Sequence, residues 1–211
     1  MIERKLKPCA ECGSMFPPWN SLQAVCGPAC AIKVAKRESA EKKRKEKEIR
    51  ARHRKRREEL KSRGDWTKEA QAAFNAWVRE RDYGLPCISC DSTPDDSGLM
   101  TGSRIDAGHY RSRGAMPSLR FEPLNCHAQC VKCNRYLSGN TVEYRARLIN
   151  RIGPDNLEWL EGEHPPKKFT IAELKQIKKH YSAQARAMKR AREQGVSEAG
   201  MRIEIAEVPH D

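Results

Sequence analysis

Eight of the nine cysteines in this chain fall into four close pairs, and no other feature constrains the fold as much. Cys9-Ala-Glu-Cys12 and Cys26-Gly-Pro-Ala-Cys30 make one set; Cys87-Ile-Ser-Cys90 and Cys130-Val-Lys-Cys133 make the other. A short Cys-x-x-Cys loop turns both sulfurs to one side, and two such loops complete a tetrahedral site for Zn²⁺. The pattern predicts two structural zinc ions. Cys126 is left over and reads as a small buried filler. Cysteines grouped for metal suit a reducing compartment, so the expected location is the cytoplasm.

Composition agrees with small units braced by metal. Hydrophobic residues are 38% and charged residues 33% of 211, too polar for one large core. The fold expected is a small, zinc-stabilised α+β protein whose units are joined by polar helix. A net charge of +13 favours an anionic polymer, nucleic acid first. There is no long apolar run, and Met1-Ile-Glu-Arg-Lys lacks the apolar stretch of a signal peptide, so no membrane role is expected.

Four segments follow along the chain. Residues 1–32 read as a zinc knuckle with Cys30 at the start of a helix. Residues 33–64 are a basic helical arm: Lys42, Lys43, Arg44 and Lys45, then Arg54, Lys55, Arg56 and Arg57, are its densest runs. With no apolar stripe it cannot pack on a core, and its charge suits phosphates. Residues 65–150 form the central domain. Its first helix has Thr67 as N-cap, and Phe74, Trp77 and Val78 fall on one core-facing side. Leu99 to Tyr110 reads as one strand and Ser118 to Glu122 as its partner, with a helix beginning at Cys133 to Leu137. Residues 151–211 hold C-terminal helices and a loose tail. There Thr170-Ile-Ala-Glu173 is a capping box, and Leu174, Ile177, Tyr181 and Met188 make an apolar stripe. That stripe is a candidate homodimer interface, or it packs on the chain's own helices near Tyr144 and Leu148.

Between the second pairs lie residues suited to hydrolysing a phosphodiester. A neutral histidine near pH 7 can take a proton from water, and His109 at a strand end has that character. An asparagine oxygen is a fair ligand for Mg²⁺, and Asn134 directly follows a zinc ligand. Asn125 can tie the loop carrying His109. Arg111, Arg113 and Arg120 flank the hairpin and are placed to hold phosphates. Tyr136 and Asn140 either contact DNA or pack.

The order His109, Asn125, Cys130-x-x-Cys133-Asn134 resembles the HNH nuclease family in its zinc-braced form, and is similar to the phage endonuclease VII group. That resemblance implies a ββα-metal, treble-clef-like nuclease unit. It makes His109 the general base, Asn125 its orienting residue and Asn134 a ligand of a catalytic Mg²⁺ or Mn²⁺. Where most such sites have Asp or His before the base histidine, this chain has Gly108. The second ligand is then Asp106, brought round by a bulge at Ala107-Gly108, or His127; a hard cation favours the carboxylate. More of the chain, residues 1–190, resembles the lambdoid phage NinG (Rap) recombination proteins. The motifs are Phe74-Asn-Ala-Trp-Val-Arg-Glu-Arg-Asp, Pro86-Cys-Ile-Ser-Cys, Asp106-Ala-Gly-His-Tyr, Asn125-x-His-Ala-Gln-Cys and Cys133-Asn-Arg-Tyr-Leu-Ser-Gly-Asn140. The family implies an endonuclease for branched DNA, Holliday junctions and D-loops, encoded by a phage and acting with phage or host recombination proteins. The rival readings are a non-catalytic zinc-finger DNA-binding or scaffold protein, and an RNA-binding factor, which the scarcity of aromatics among the basic residues disfavours.

Overall fold

The computed structural model describes residues 5–93 and 105–195. The chain divides into two compact units, one ending at Lys61 and one beginning at Ser62.

In the first unit, β1 (Lys7–Pro8) and β2 (Met15–Phe16) pair antiparallel, with Lys7 opposite Phe16. After a loop carrying Cys26, the helix α1 (Pro28–Glu59) runs unbroken, with Cys30 in its first turn. Pro28 suits that first turn, where its missing N–H would have no partner. None of the 32 residues of α1 is buried. Alanine and charged straight-chain residues keep it helical without tertiary help.

The second unit is built on α2 (Arg63–Arg81). It begins earlier than the sequence suggested: Ser62, not Thr67, is the N-cap, in a capping box with Asp65. Phe74, Trp77 and Val78 are buried as expected, with Trp66 and Ala70 on the same face. The strand β3 (Ile105–His109) pairs antiparallel with β4 (Cys126–Cys130). The expected strand at Ser118 to Glu122 is instead a 3-10 turn, Pro117–Phe121, which Pro117 starts. The part of the first expected strand from Leu99 to Arg104 lies outside the described residues.

After β4 the chain does not enter a long α-helix at once. Lys132–Tyr136 is a π-helical turn, with Leu137 N–H donating to Lys132 O. Ser138, Gly139 and Asn140 all take positive φ, and they end this turn before α3 (Thr141–Ile152). Gly153 and Pro154 separate α3 from α4 (Pro154–Glu161), and α5 (Ile171–Glu193) opens with the expected box at Thr170 and Glu173.

Two apolar clusters hold these elements. One joins α2, β3, β4 and α5. In it Tyr181 packs edge-on against Phe74 and tilted against Trp77, with ring centroids 4.9 and 4.8 Å away. The other gathers Ile88, Leu119, Tyr144, Leu148, Leu157 and Leu160. The stripe Leu174, Ile177, Tyr181, Met188 therefore packs on α2 of its own chain. This is the second of the two expectations, packing on the chain's own helices, with the partner corrected from the Tyr144 and Leu148 region to α2. An apolar row opposite another apolar row satisfies both without a second copy.

A buried polar clamp joins the end of α2 to β4. Arg81 donates to Pro123 O (3.0 Å) and Cys126 O, while Asp82 accepts from Ala128 N–H (2.8 Å). His127 Nδ1 accepts from Arg81 (3.1 Å) and its Nε2 donates to Leu124 O (3.1 Å), which fixes a neutral imidazole. Burial would raise the Asp82 pKa, but the Arg81 charge outweighs it and holds the carboxyl well below the usual range. A depressed carboxylate stabilises the fold above its unfolded pKa near 3.9, and that share is lost as pH falls through the folded value. Asp82→Asn should therefore lower stability at pH 7 and flatten its decline below about pH 4, as read by urea unfolding across pH. Leu174→Ala, at a fully buried position, should cost roughly 2–5 kcal/mol in the same assay, whereas an interface role would leave the monomer's stability unchanged.

Candidate functional site

Each set of four cysteines brings its sulfurs together, all within 4.8 Å of one another. A tetrahedron with Zn–S of about 2.3 Å has edges near 3.8 Å. The observed sulfur separations fit it: 3.8 Å for Cys90–Cys130 and 3.6 Å for both Cys12–Cys26 and Cys26–Cys30. Backbone N–H groups aim at the sulfurs, from Cys26 to Cys9 and from Cys130 to Cys87, both at 3.3 Å. Such donors stabilise thiolate. The two knuckles share a backbone. Cys9 N–H donates to Ser14 O and Cys87 N–H to Ser92 O, both at 2.9 Å. Gly13 and Asp91, the residues after the second cysteine, both take positive φ. Four soft thiolates in this arrangement suit Zn²⁺. Cys126 stands apart, fully buried, as the spacing predicted.

The β3–β4 ladder is regular from Ile105 opposite Cys130 to His109 opposite Cys126. There is no bulge at Ala107-Gly108, which corrects the expectation that one turns Asp106 toward His109. The glycine has a different use. A Cβ on Gly108 would lie 2.1 Å from Gln129 Oε1, and its carbonyl accepts from the Tyr144 hydroxyl (2.9 Å). Close packing, not strand bending, excludes a carboxylate at position 108.

Asp106 and Asn134 do meet: Asn134 Nδ2 donates to Asp106 Oδ2 at 2.9 Å. Arg135, which the sequence reading passed over, forks onto both carboxylate oxygens at 2.7 and 2.9 Å. Its position directly after Asn134 on the same turn was the available signal. Burial raises the Asp106 pKa, but Arg135 and Asn134 together bring it below normal. The pair supplies two oxygen donors of the kind Mg²⁺ or Mn²⁺ takes. His127, the other candidate ligand, is enclosed in the Arg81–Asp82 clamp with both ring nitrogens engaged.

His109 lies three residues on, on the opposite face of the strand from Asp106. Its Nε2 donates to Arg120 O at 3.0 Å, so Nδ1 carries the lone pair, and it lies 3.5 Å from the buried Cys126 Sγ. Burial, with the charges of Arg113 and Arg120, pushes its pKa down to about 4. Asn125, fully buried, ties Arg111 to Leu119: its Oδ1 accepts from Arg111 N–H (2.8 Å), and its Nδ2 donates to Arg111 O and Leu119 O (both 3.0 Å), with none of these bonds to the His109 ring. Arg120 also reaches Gln71 Oε1 at 3.3 Å. Lys42 to Lys45 and Arg54 to Arg57 lie on α1 of the first unit.

Among the described residues, fold and site define a small mixed α/β protein with two small sheets and two four-cysteine clusters that could each hold a metal ion. Residues 1–193 match the profile of a family described as Bacteriophage Lambda NinG protein. The chain is 41% identical over 194 residues to Protein ninG of Escherichia phage lambda, covering 86% of this chain and 92% of that one. Protein ninG of Salmonella phage P22 is 40% identical over the same shares, and that of Enterobacteria phage H19B is 50% identical over 56% of each chain. No solved structure matches. The chain belongs to the NinG family. Among the described residues, no helix is long and apolar enough to cross a membrane.

Metal analysis of the purified chain should give two zinc ions, and Cys126→Ser should leave the count at two. Cys130→Ser should reduce it to one and unfold the hairpin, since so small a unit depends on its metal. One zinc in the wild type, or a loss on changing Cys126, would overturn the partition.

Proposed function

We propose that the chain is a metal-dependent DNA endonuclease that hydrolyses phosphodiester bonds in branched DNA, Holliday junctions and D-loops among them. The observation that carries it is His109: a histidine held neutral by burial, fixed in one tautomer by the Arg120 carbonyl, and set beside Arg113 and Arg120. A general base must be unprotonated at working pH and carry a lone pair; Nδ1 has one, but it faces the buried Cys126 thiol at 3.5 Å, which has to give way before water can reach it. The neighbouring arginines suit a phosphate, whose charge they would neutralise. Asn125 holds the loop that carries them.

Asp106 and Asn134 are the residues that would hold the divalent cation. When bound, that ion supplies a Lewis acid that stabilises charge developing on phosphate oxygens. Asp106 and His109 are three strand steps apart, about 10 Å, and on opposite faces of β3, so for both to act on one phosphodiester the hairpin has to deform or the substrate has to wrap its edge. Arg135 now satisfies Asp106 and has to yield to the cation or to move onto the substrate. Branched substrates are inferred from family resemblance, and the hairpin with its zinc-pinned turn is read as an HNH-type ββα unit on the same basis. The alternative, a zinc-braced DNA-binding protein without catalysis, is favoured by one observation, the complete engagement of Asp106 by Arg135.

Cleavage of a four-way junction with and without Mg²⁺ tests the reading. His109→Ala should lower the rate about 10²–10⁴-fold while zinc content and junction affinity stay unchanged. Because only the neutral imidazole accepts a proton, the wild-type rate should rise with pH through about 4 and be level by pH 6, not titrate near 6.5. Asp106→Ala should abolish the Mg²⁺ response. Metal-independent binding with no cleavage of any branched DNA would leave the non-catalytic alternative standing.

A further inference from the structure

We propose that α1 grips the phosphate backbone of duplex DNA through one straight basic ridge, Lys36, Lys43, Lys47, Arg50, Arg54 and Arg57, which takes only Lys43, Arg54 and Arg57 from its two densest runs of positive charge. The ligand class rests on the DNA reading above, but the surface is read from α1 itself.

The helix turns 100° per residue, so these six positions lie within an arc of about 80°. From Lys36 to Arg57 the ridge runs roughly 32 Å, close to one turn of duplex. The side chains of Lys43, Lys47, Arg50, Arg54 and Arg57 border a single shallow recess along the helix. The remaining basic residues are mixed with glutamates on the other side. There Lys45 pairs with Glu41 at 2.8 Å, Arg44 with Glu48 at 3.9 Å and Lys55 with Glu59 at 4.0 Å. Glu38 lies on that side too, while Glu46 and Glu58 border the ridge. Among the described residues, no ridge side chain makes an ion pair. The linear sequence hides this division, because Lys42 to Lys45 looks like one patch while successive residues point around the whole helix.

Two other occupants fit less well. An anionic membrane takes a helix whose apolar face enters the lipid, and α1 has no apolar stripe and no buried residue. Single-stranded nucleic acid is gripped by aromatic platforms between basic residues, and α1 contains no Phe, Tyr or Trp. A row of unpaired cations at helical spacing, on a rod free of apolar contact, matches the regular charge of a duplex backbone.

The test uses two full-length variants of equal charge change. One replaces Lys43, Lys47, Arg50, Arg54 and Arg57 with Gln; the other replaces Lys42, Arg44, Lys45, Lys55 and Arg56 with Gln. Glutamine keeps helix propensity, and circular dichroism checks that α1 survives. Affinity for a linear duplex is measured across salt concentrations without added Mg²⁺. Each lost phosphate contact flattens the slope of log K against log salt by about 0.9, so the ridge variant should lose about 4 and the other less than about 1. Equal losses in the two variants would overturn the ridge, leaving only bulk charge. Tighter wild-type binding to phosphatidylserine vesicles or to oligo-dT than to duplex would overturn the choice of partner. Cleavage is not read in this assay, so a ridge effect with no nuclease activity would separate the two proposals.

Discussion

The second unit depends on the sulfurs of Cys87, Cys90, Cys130 and Cys133 sharing one small volume. They tie a knuckle before the hairpin to the far end of β4, closing a loop of about 45 residues whose ordering costs entropy that a two-stranded ladder cannot offset alone. The knuckle also docks on β4 directly, Ile88 N–H donating to Ala128 O at 3.0 Å. With Cys133 fixed, Asn134 has one place to go, and the π-helical turn sets it against Asp106. The position of the candidate cation pair is thus a consequence of sulfur geometry.

The other end of the hairpin is held by a different force. Arg81, Asp82 and His127 bury charge and polarity where apolar side chains would pack with less desolvation cost. What they gain is direction. Arg81 and Asp82 together reach the backbone at Pro123, Cys126 and Ala128, which sets where β4 begins and so which residue stands opposite His109. A one-residue slip of β4 would leave those donors and acceptors unpaired and move every side chain to the wrong face.

What could be read in advance followed the strength of each local signal. The cysteine partition, the core face of α2 and the box at Thr170 each rest on a spacing rule that tertiary context does not change. The second strand was misplaced because Cys126 to Cys130 is covered on both faces and shows no alternation, while Ser118 to Glu122 alternates yet turns at Pro117. The helix expected from Cys133 is interrupted at Ser138 to Asn140, where only Gly139 announces a left-handed backbone. The stripe on α5 was legible, but its partner was not: an apolar row says that something covers it, and α2 offers Trp66, Phe74 and Trp77 from more than 90 residues away.

Arg135 bears on how the candidate site would work. A partly buried carboxylate on a strand is costly unless paired, so Asp106 needs an opposite charge, and Arg135 supplies it from the exposed side. A divalent cation meets the same need with twice the charge. If a cation binds there as proposed, the two would compete for one pair of oxygens, and Arg135 would act as a brake on weak metal binding and be freed when metal binds. A released arginine next to a phosphate is better used on the phosphate than in solvent. Substrate and cation would then bind together more tightly than either alone, because each removes the cost of displacing Arg135 from Asp106. On these proposals α1 would hold any duplex, while commitment to chemistry would wait on the Asp106 carboxylate changing partners.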